Sequence, residues 1–143
     1  MDIFKALRED HDKQRDLLKQ LVSTSGDTKK RQQLFKNLRT ALETHADAEE
    51  RYFYKPLIDS DKTQEKARHG IAEHHEIDEL ITELDQTDFS SPAWLRIAKN
   101  LKERVEHHLD EEEHQVFQIA GKVLSTSQKE SLSKAYQDHM NTK

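Results

Sequence analysis

The chain has 143 residues, 36% of them charged and 33% hydrophobic, with a formal net charge of −5, few glycines and prolines, and no cysteine. That length suits one domain with one core, and the scarcity of Gly and Pro favours long amphipathic helices over a strand-rich fold. A negative balance without any Lys/Arg block argues against nucleic acid or a membrane surface as partner, and the lack of Cys excludes disulfides, thiolate nucleophiles and sulfur-ligated metals.

The opening Met1-Asp2-Ile3-Phe4-Lys5 has no cationic segment leading into an apolar one, and no run of about 18 apolar residues occurs, so the expectation is a cytoplasmic protein. Phe4, Leu7, Leu18 and Leu21 recur at helical spacing and predict a first helix from about Asp2 to Val22, broken by the polar stretch ending at Gly26. Asp27 is the expected cap of a second helix bearing Leu34, Leu38, Ala41 and Phe53, which should weaken near Pro56. Asp61 with Gln64 forms a candidate capping box for a third, carrying Ile71, Ile77, Ile81 and Leu84 and ending before Asp88. Ser91 and Pro92 suit the cap and first position of a fourth, with Ile97, Leu101, Val105, Val116 and Ile119 inward and a stop around Gly121. Ser127 and Glu130 can cap a short fifth helix. The sum is an all-α chain: an up-and-down four-helix bundle with a short additional C-terminal helix, packed across one end or partly exposed.

An internal repeat organises these helices. His74 follows His11 by 63 residues (74 − 11), and the same step takes His45 to His108 and Glu49 to Glu112. Leu38 likewise maps to Leu101, and Tyr54 to Phe117. Residues 1–143 therefore read as one domain built from two helical hairpins, about 2–58 and 61–121, whose packing about a pseudo-two-fold axis would bring six side chains together: His11, His45, Glu49, His74, His108 and Glu112.

A His and a Glu four residues apart share a helix face and can reach a common ion. One such pair is weak, because in so charged a chain it can be solvated surface. Here both pairs continue the core stripes, Leu101-Val105-His108-Glu112-Val116 and Leu38-Ala41-His45-Glu49-Phe53. A carboxylate buried among apolar side chains costs several kcal/mol unless a cation compensates, which a metal would supply. The competing reading is a neutral hydrogen-bonded histidine layer with the glutamates turned outward. The repeat selects His74 and His108 over their neighbours His75 and His107, although His107 and Glu111 share the same spacing. His69, His114 and His139 fall outside the repeat and are expected at the solvated surface. Tyr52 lies near the face of His45, where its hydroxyl could reach a metal-bound group, though such a residue is more often core.

The stretches Glu9-Asp10-His11, His45-Ala46-Asp47-Ala48-Glu49-Glu50, Glu73-His74-His75-Glu76-Ile77 and His108-Leu109-Asp110-Glu111-Glu112, in this order, resemble the hemerythrin-like proteins over almost the whole chain. The resemblance implies a four-helix bundle with a non-haem di-iron centre in which Glu49 and Glu112 bridge two iron ions and His11, His45, His74 and His108 are terminal ligands, with an oxo or hydroxo bridge. Manganese or zinc would also suit nitrogen and oxygen donors. Oxygen-carrying members have a further histidine one turn after the third-helix ligand, where this chain has Asp78, so each ion would keep an open position. The implied function is binding of, or reaction with, dioxygen, peroxide or nitric oxide; the alternatives are a reversible dioxygen carrier or sensor, an iron-binding or iron-sensing protein without catalysis, and a purely structural metal site. No separate catalytic constellation or nucleotide motif is visible. The charged outer faces favour a monomer or weak dimer.

Overall fold

The computed structural model describes residues 1–142, and among them helices account for nearly all regular structure. Helix α1 (Ile3–Val22) starts where Asp2, in extended conformation, accepts a hydrogen bond from the Lys5 amide, relieving one of the unpaired donors of the first turn. Helix α2 (Lys29–Glu49) passes through a π-helical turn (Glu50–Tyr54) into the short α3 (Lys55–Ile58). Helix α4 (Gln64–Gln86) is followed by α5 (Pro92–Glu111), a second π turn (Glu112–Val116) and α6 (Phe117–Val123), and α7 (Thr126–Asn141) closes the chain. The α1/α2 and α4/α5 hairpins pack side by side, α1 against α5, so the expected four-helix bundle with an additional C-terminal helix is the architecture found. No helix among the described residues is long and apolar enough to cross a membrane.

Several boundaries differ from expectation for local reasons. Thr28 caps α2, accepting from the Arg31 amide, while the Asp27 carboxylate accepts from the Gln32 side chain instead. The Asp61/Gln64 box does not form: the chain turns once more before Thr63, whose hydroxyl donates to the Leu57 carbonyl and ties the loop down. Pro56 does not end its helix, because it falls in the first turn of α3, where a missing N–H is tolerated. Ser91 and Pro92 open α5 as expected. Gly121 stays helical and α6 runs on to Val123. The capping box of α7 is Ser125 with Gln128, not Ser127 with Glu130, so this helix reaches sixteen residues and packs along α1 and α2. Ala41, Ile71 and Ile119 are only half-buried, and Leu42 takes the inward position beside Ala41.

The interior divides into two apolar clusters. One, around Leu18, Leu38, Ile81, Trp94 and Leu101, fills the loop end of the bundle; the other, around Phe4, Leu7, Phe53, Leu57, Phe117 and Tyr136, fills the end covered by α7. The six repeat-matched residues lie between them in sequence register. At the loop end, buried Arg31 donates to the Thr24 hydroxyl at 2.8 Å, the Thr24 carbonyl at 2.7 Å and the Phe89 carbonyl at 2.6 Å, with its guanidinium 4.5 Å from the Trp94 ring. It thereby ties the turn of one hairpin to the turn of the other. Arg31→Ala strands two carbonyls at once and should cost about 3 kcal/mol, read as a lowered urea midpoint, whereas Ala at exposed Lys30 should leave the midpoint within about 0.5 kcal/mol.

Candidate metal centre

All six repeat-matched side chains are buried, between 0% and 6% exposed, and they converge on one point of the bundle axis. His75 and His107, their neighbours in sequence, point outward, 78% and 66% exposed. Each helix delivers its part by the core stripe it already carries. In α1 the buried positions Phe4, Leu7, His11, Gln14, Leu18 and Leu21 advance by alternating steps of three and four, so His11 enters the interior in line with leucines.

The geometry obeys the repeat crosswise. His11 Nε2 lies 3.3 Å from Glu112 of the other hairpin, and its equivalent His74 Nε2 lies 3.0 Å from Glu49. His45 and His108 approach the glutamates of their own helices at 3.4 Å each. Every Nδ1 faces away from the centre onto an acceptor. His11 Nδ1 donates to Glu113 at 2.7 Å, and His74 Nδ1 to the repeat-equivalent Glu50 at 2.8 Å. With Nδ1–H committed outward, each imidazole in its neutral form would present a lone pair inward from Nε2, the arrangement that orients metal-ligating histidines.

One equivalence is broken and mended. His108 Nδ1 donates to Glu73 at 2.8 Å, but at the matching position in the first half stands Asp10, a methylene shorter, and its carboxylate remains 4.0 Å from His45 Nδ1. Tyr136 of α7 fills the gap: His45 Nδ1 donates to its hydroxyl at 2.5 Å and the hydroxyl donates to Asp10. Burial and the Asp10 charge push the Tyr136 phenol well above its usual range, so it stays protonated.

The residues fit a metal. The Nε2 atoms of His11, His45 and His108, both oxygens of Glu49 and one of Glu112 are buried with no hydrogen-bond partner, which is costly unless a cation takes their lone pairs. The donors form two overlapping groups, Glu49/His74/His108/Glu112 and His11/His45/Glu49, each offering atoms within 4.8 Å of one another. Bonds of about 2.1 Å to nitrogen and oxygen place opposed donors roughly 4.2 Å apart, which these groups can meet. Glu49 belongs to both groups, so its two oxygens could serve two ions.

Several contributors were not anticipated. Tyr54, not Tyr52, reaches the centre and donates its hydroxyl to Glu112; Tyr52 packs half-buried against His139, ring centroids 5.6 Å apart. The π turn is the reason. In it the Lys55 N–H bonds to the Glu50 carbonyl, five residues back, so a residue five beyond Glu49 returns to the face that a regular helix gives to one four beyond. The second π turn acts likewise, where the Phe117 N–H bonds back to Glu112 and the Phe117 ring stacks near His11, centroids 6.1 Å apart. His139, expected in solvent, has a side chain only 9% exposed and lies 2.9 Å from Asp47; His69 and His114 are exposed as expected. The outer partners Glu50, Glu73 and Glu113 carried a signal in sequence, since each lies beside a core-stripe histidine or glutamate and Glu50 and Glu113 are 63 residues apart.

The model for the hemerythrin HHE cation binding domain matches residues 2–120. No curated protein matches the sequence. A crystal structure of a hemerythrin HHE cation binding domain-containing protein from Mycobacterium kansasii is similar to this chain with a TM-score of 0.89 and 22% identity, covering 99% of this chain and 86% of that one, a likeness of fold.

Without metal, the histidines are the counter-charges of the two glutamates. Burial alone would lower their affinity for protons, but Glu49 and Glu50 outweigh it at His74 and push it to about 9, and Glu112 with Glu73 push His108 to about 10. Stability from a raised histidine is fully present below its unfolded value near 6.5 and is lost as pH rises through the folded one. The metal-free protein should therefore show a denaturation midpoint that falls from pH 6.5 to 10, while affinity for a divalent cation, which needs neutral imidazoles, rises over the same window. A second test addresses the mended equivalence. Tyr136→Phe should weaken metal binding about 10-fold or more by freeing the His45 ring, and adding Asp10→Glu, which restores the longer side chain of the other half, should recover most of the loss in a competitive chelator titration.

Proposed function

The chain belongs to the hemerythrin HHE cation-binding domain family, and on that premise we propose that it is a non-haem di-iron protein that binds or reacts with small oxidised molecules such as dioxygen, peroxide or nitric oxide. The observation that carries this reading is the inward set of unpartnered donors, nitrogen and oxygen only, with Glu49 shared between two groups. In this proposal Glu49 and Glu112 together with His11, His45, His74 and His108 would hold the two ions, His11 and His45 on one side and His74 and His108 on the other. Donors of this kind suit iron or manganese, and zinc by affinity alone. Bound iron would supply one-electron chemistry.

The protein's own part is binding, orientation and exclusion of water. The outward hydrogen bonds from Nδ1 to Glu113, Tyr136, Glu50 and Glu73 hold each ring in one tautomer and one plane. The Tyr54 hydroxyl donates a hydrogen bond to Glu112 and fixes the orientation of that carboxylate. Phe53 and Phe117, with ring centroids 5.5 Å apart in an edge-to-face pair, seal the α7 side, and Val105 with Leu42 seal the other. We read the two hairpins as a single unit around this centre, and as a monomer or weak dimer, since Met1 is the sole large apolar side chain exposed among the described residues.

Protein purified with iron should carry about two irons per chain and show near-ultraviolet charge-transfer bands of a ferric pair. Replacing His45, Glu49, His108 and Glu112 together by Ala should reduce iron to background; retention of both irons by that variant would end this reading. Turnover of peroxide by the iron form would mark an enzyme, and a stable reversible dioxygen adduct a carrier.

A further inference from the structure

Gln14 is a polar residue in a core position that the centre described above does not use. It is 2% exposed, one turn beyond His11 on the inner face of α1, and its amide nitrogen is buried with no hydrogen-bond partner. An unpaired buried amide is destabilising, and packing gives no reason for it. The repeat shows this directly: the equivalent of Gln14 in the second hairpin is Ile77, also buried, so an apolar side chain fills the matching place.

Both residues line one cavity. Its walls include the repeat-matched pairs Gln14 and Ile77, Leu42 and Val105, His45 and His108, so it lies on the pseudo-two-fold axis directly over the centre, with exposed Asp78 at its rim. The cavity measures about 10 Å³, room for roughly one water-sized molecule. The histidines in its wall have their Nδ1 atoms committed outward, and the remaining inner wall is hydrocarbon. With the histidine Nε2 atoms taken by metal, Gln14 is the uncommitted hydrogen-bond donor among the buried residues that line it.

We propose that Gln14 is a ligand-binding residue whose amide donates a hydrogen bond to the outer atom of a small acceptor molecule held at the metal centre, that atom occupying this cavity. The inference rests on the di-iron reading and adds to it a selectivity rule. Acceptor molecules are favoured, because only they satisfy the buried N–H, while equally small apolar molecules leave it unpaired. The asymmetry between Gln14 and Ile77 also tilts the bound molecule toward the α1 side of an otherwise two-fold cavity.

The test uses the full iron-loaded chain with azide as probe. Azide affinity is measured by absorption titration, and the stretch of bound azide by infrared spectroscopy in light and heavy water. Wild type should show a stretch that shifts in heavy water. Gln14→Leu should keep its iron, unfold at the same or a higher denaturant concentration because an unpaired amide has been removed, bind azide about 3- to 10-fold more weakly, and lose the isotope shift. If Gln14→Leu loses iron, the nearly isosteric Gln14→Met carries the same expectations. Variants that hold iron and bind azide with wild-type affinity and isotope shift overturn the role of Gln14. Wild type that holds two irons and takes up no azide also overturns it while leaving the metal centre intact, whereas wild type without iron brings down the di-iron reading itself.

Discussion

Glu49 and Glu112 lie fully buried near the middle of the bundle, and among the described residues only histidines approach them as counter-charges. Two carboxylates in such a place cannot stay ionised without compensation, since removing each from water costs several kcal/mol. Much of the rest of the molecule is arranged around that constraint. Four histidines supply protons in the absence of metal and lone pairs in its presence, and outside them three carboxylates and, at His45, the Tyr136 hydroxyl hold the opposite ring nitrogens. Even so, Glu49 is kept well below the usual carboxylate range, burial being outweighed by His45, Glu112 and His11. Charge alternates outward from the axis: carboxylate, imidazole, carboxylate, and at Glu113 finally Arg15, whose guanidinium donates at 3.1 and 3.2 Å.

The alternation also explains why the polar layer sits between two apolar clusters and not at an end of the bundle. Water entering from either end would satisfy the inward donors and remove the drive to bind a cation. Trp94, Leu101 and their neighbours close one side, and Phe53, Phe117 and Leu57 the other. Helix α7 belongs to the second closure, lies beyond the residues matched by the family model, and yet places Tyr136 in hydrogen bond with His45. A helix that looks peripheral by sequence is part of the polar network because Asp10 is one methylene too short to do alone what Glu73 does in the other half.

Much of this was legible in the sequence. The core stripes predicted four long helices, and the 63-residue step brought out all six inward donors and the choice of His74 and His108 over adjacent histidines. What escaped had physical causes. The caps at Thr28, Thr63 and Ser125 each competed with an equally good capping residue one to two positions away, and backbone geometry decided between them. Tyr54 was hidden because helical periodicity assumes 3.6 residues per turn, and a π turn adds one. Proline at position 56 does not explain that turn, since the second hairpin makes the same turn without one. Tyr136 was hidden because its partner is 91 residues away and outside the repeat.

Gln14 was the opposite case: visible in the stripe of α1, between His11 and Leu18, but silent because a single polar residue at a core position reads as an exception. Its meaning depends on the comparison the repeat makes possible. Where the two halves agree, as at His11 and His74, the shared residue answers a demand of the centre itself. Where they differ, as at Asp10 and Glu73 or Gln14 and Ile77, the fold tolerates both side chains, and the difference must be explained by what surrounds one half and not the other. For Asp10 that surrounding is α7. For Gln14 no protein group among the described residues supplies it, and the buried amide is left at the cavity over the centre, where a molecule from outside the chain would complete the hydrogen bond.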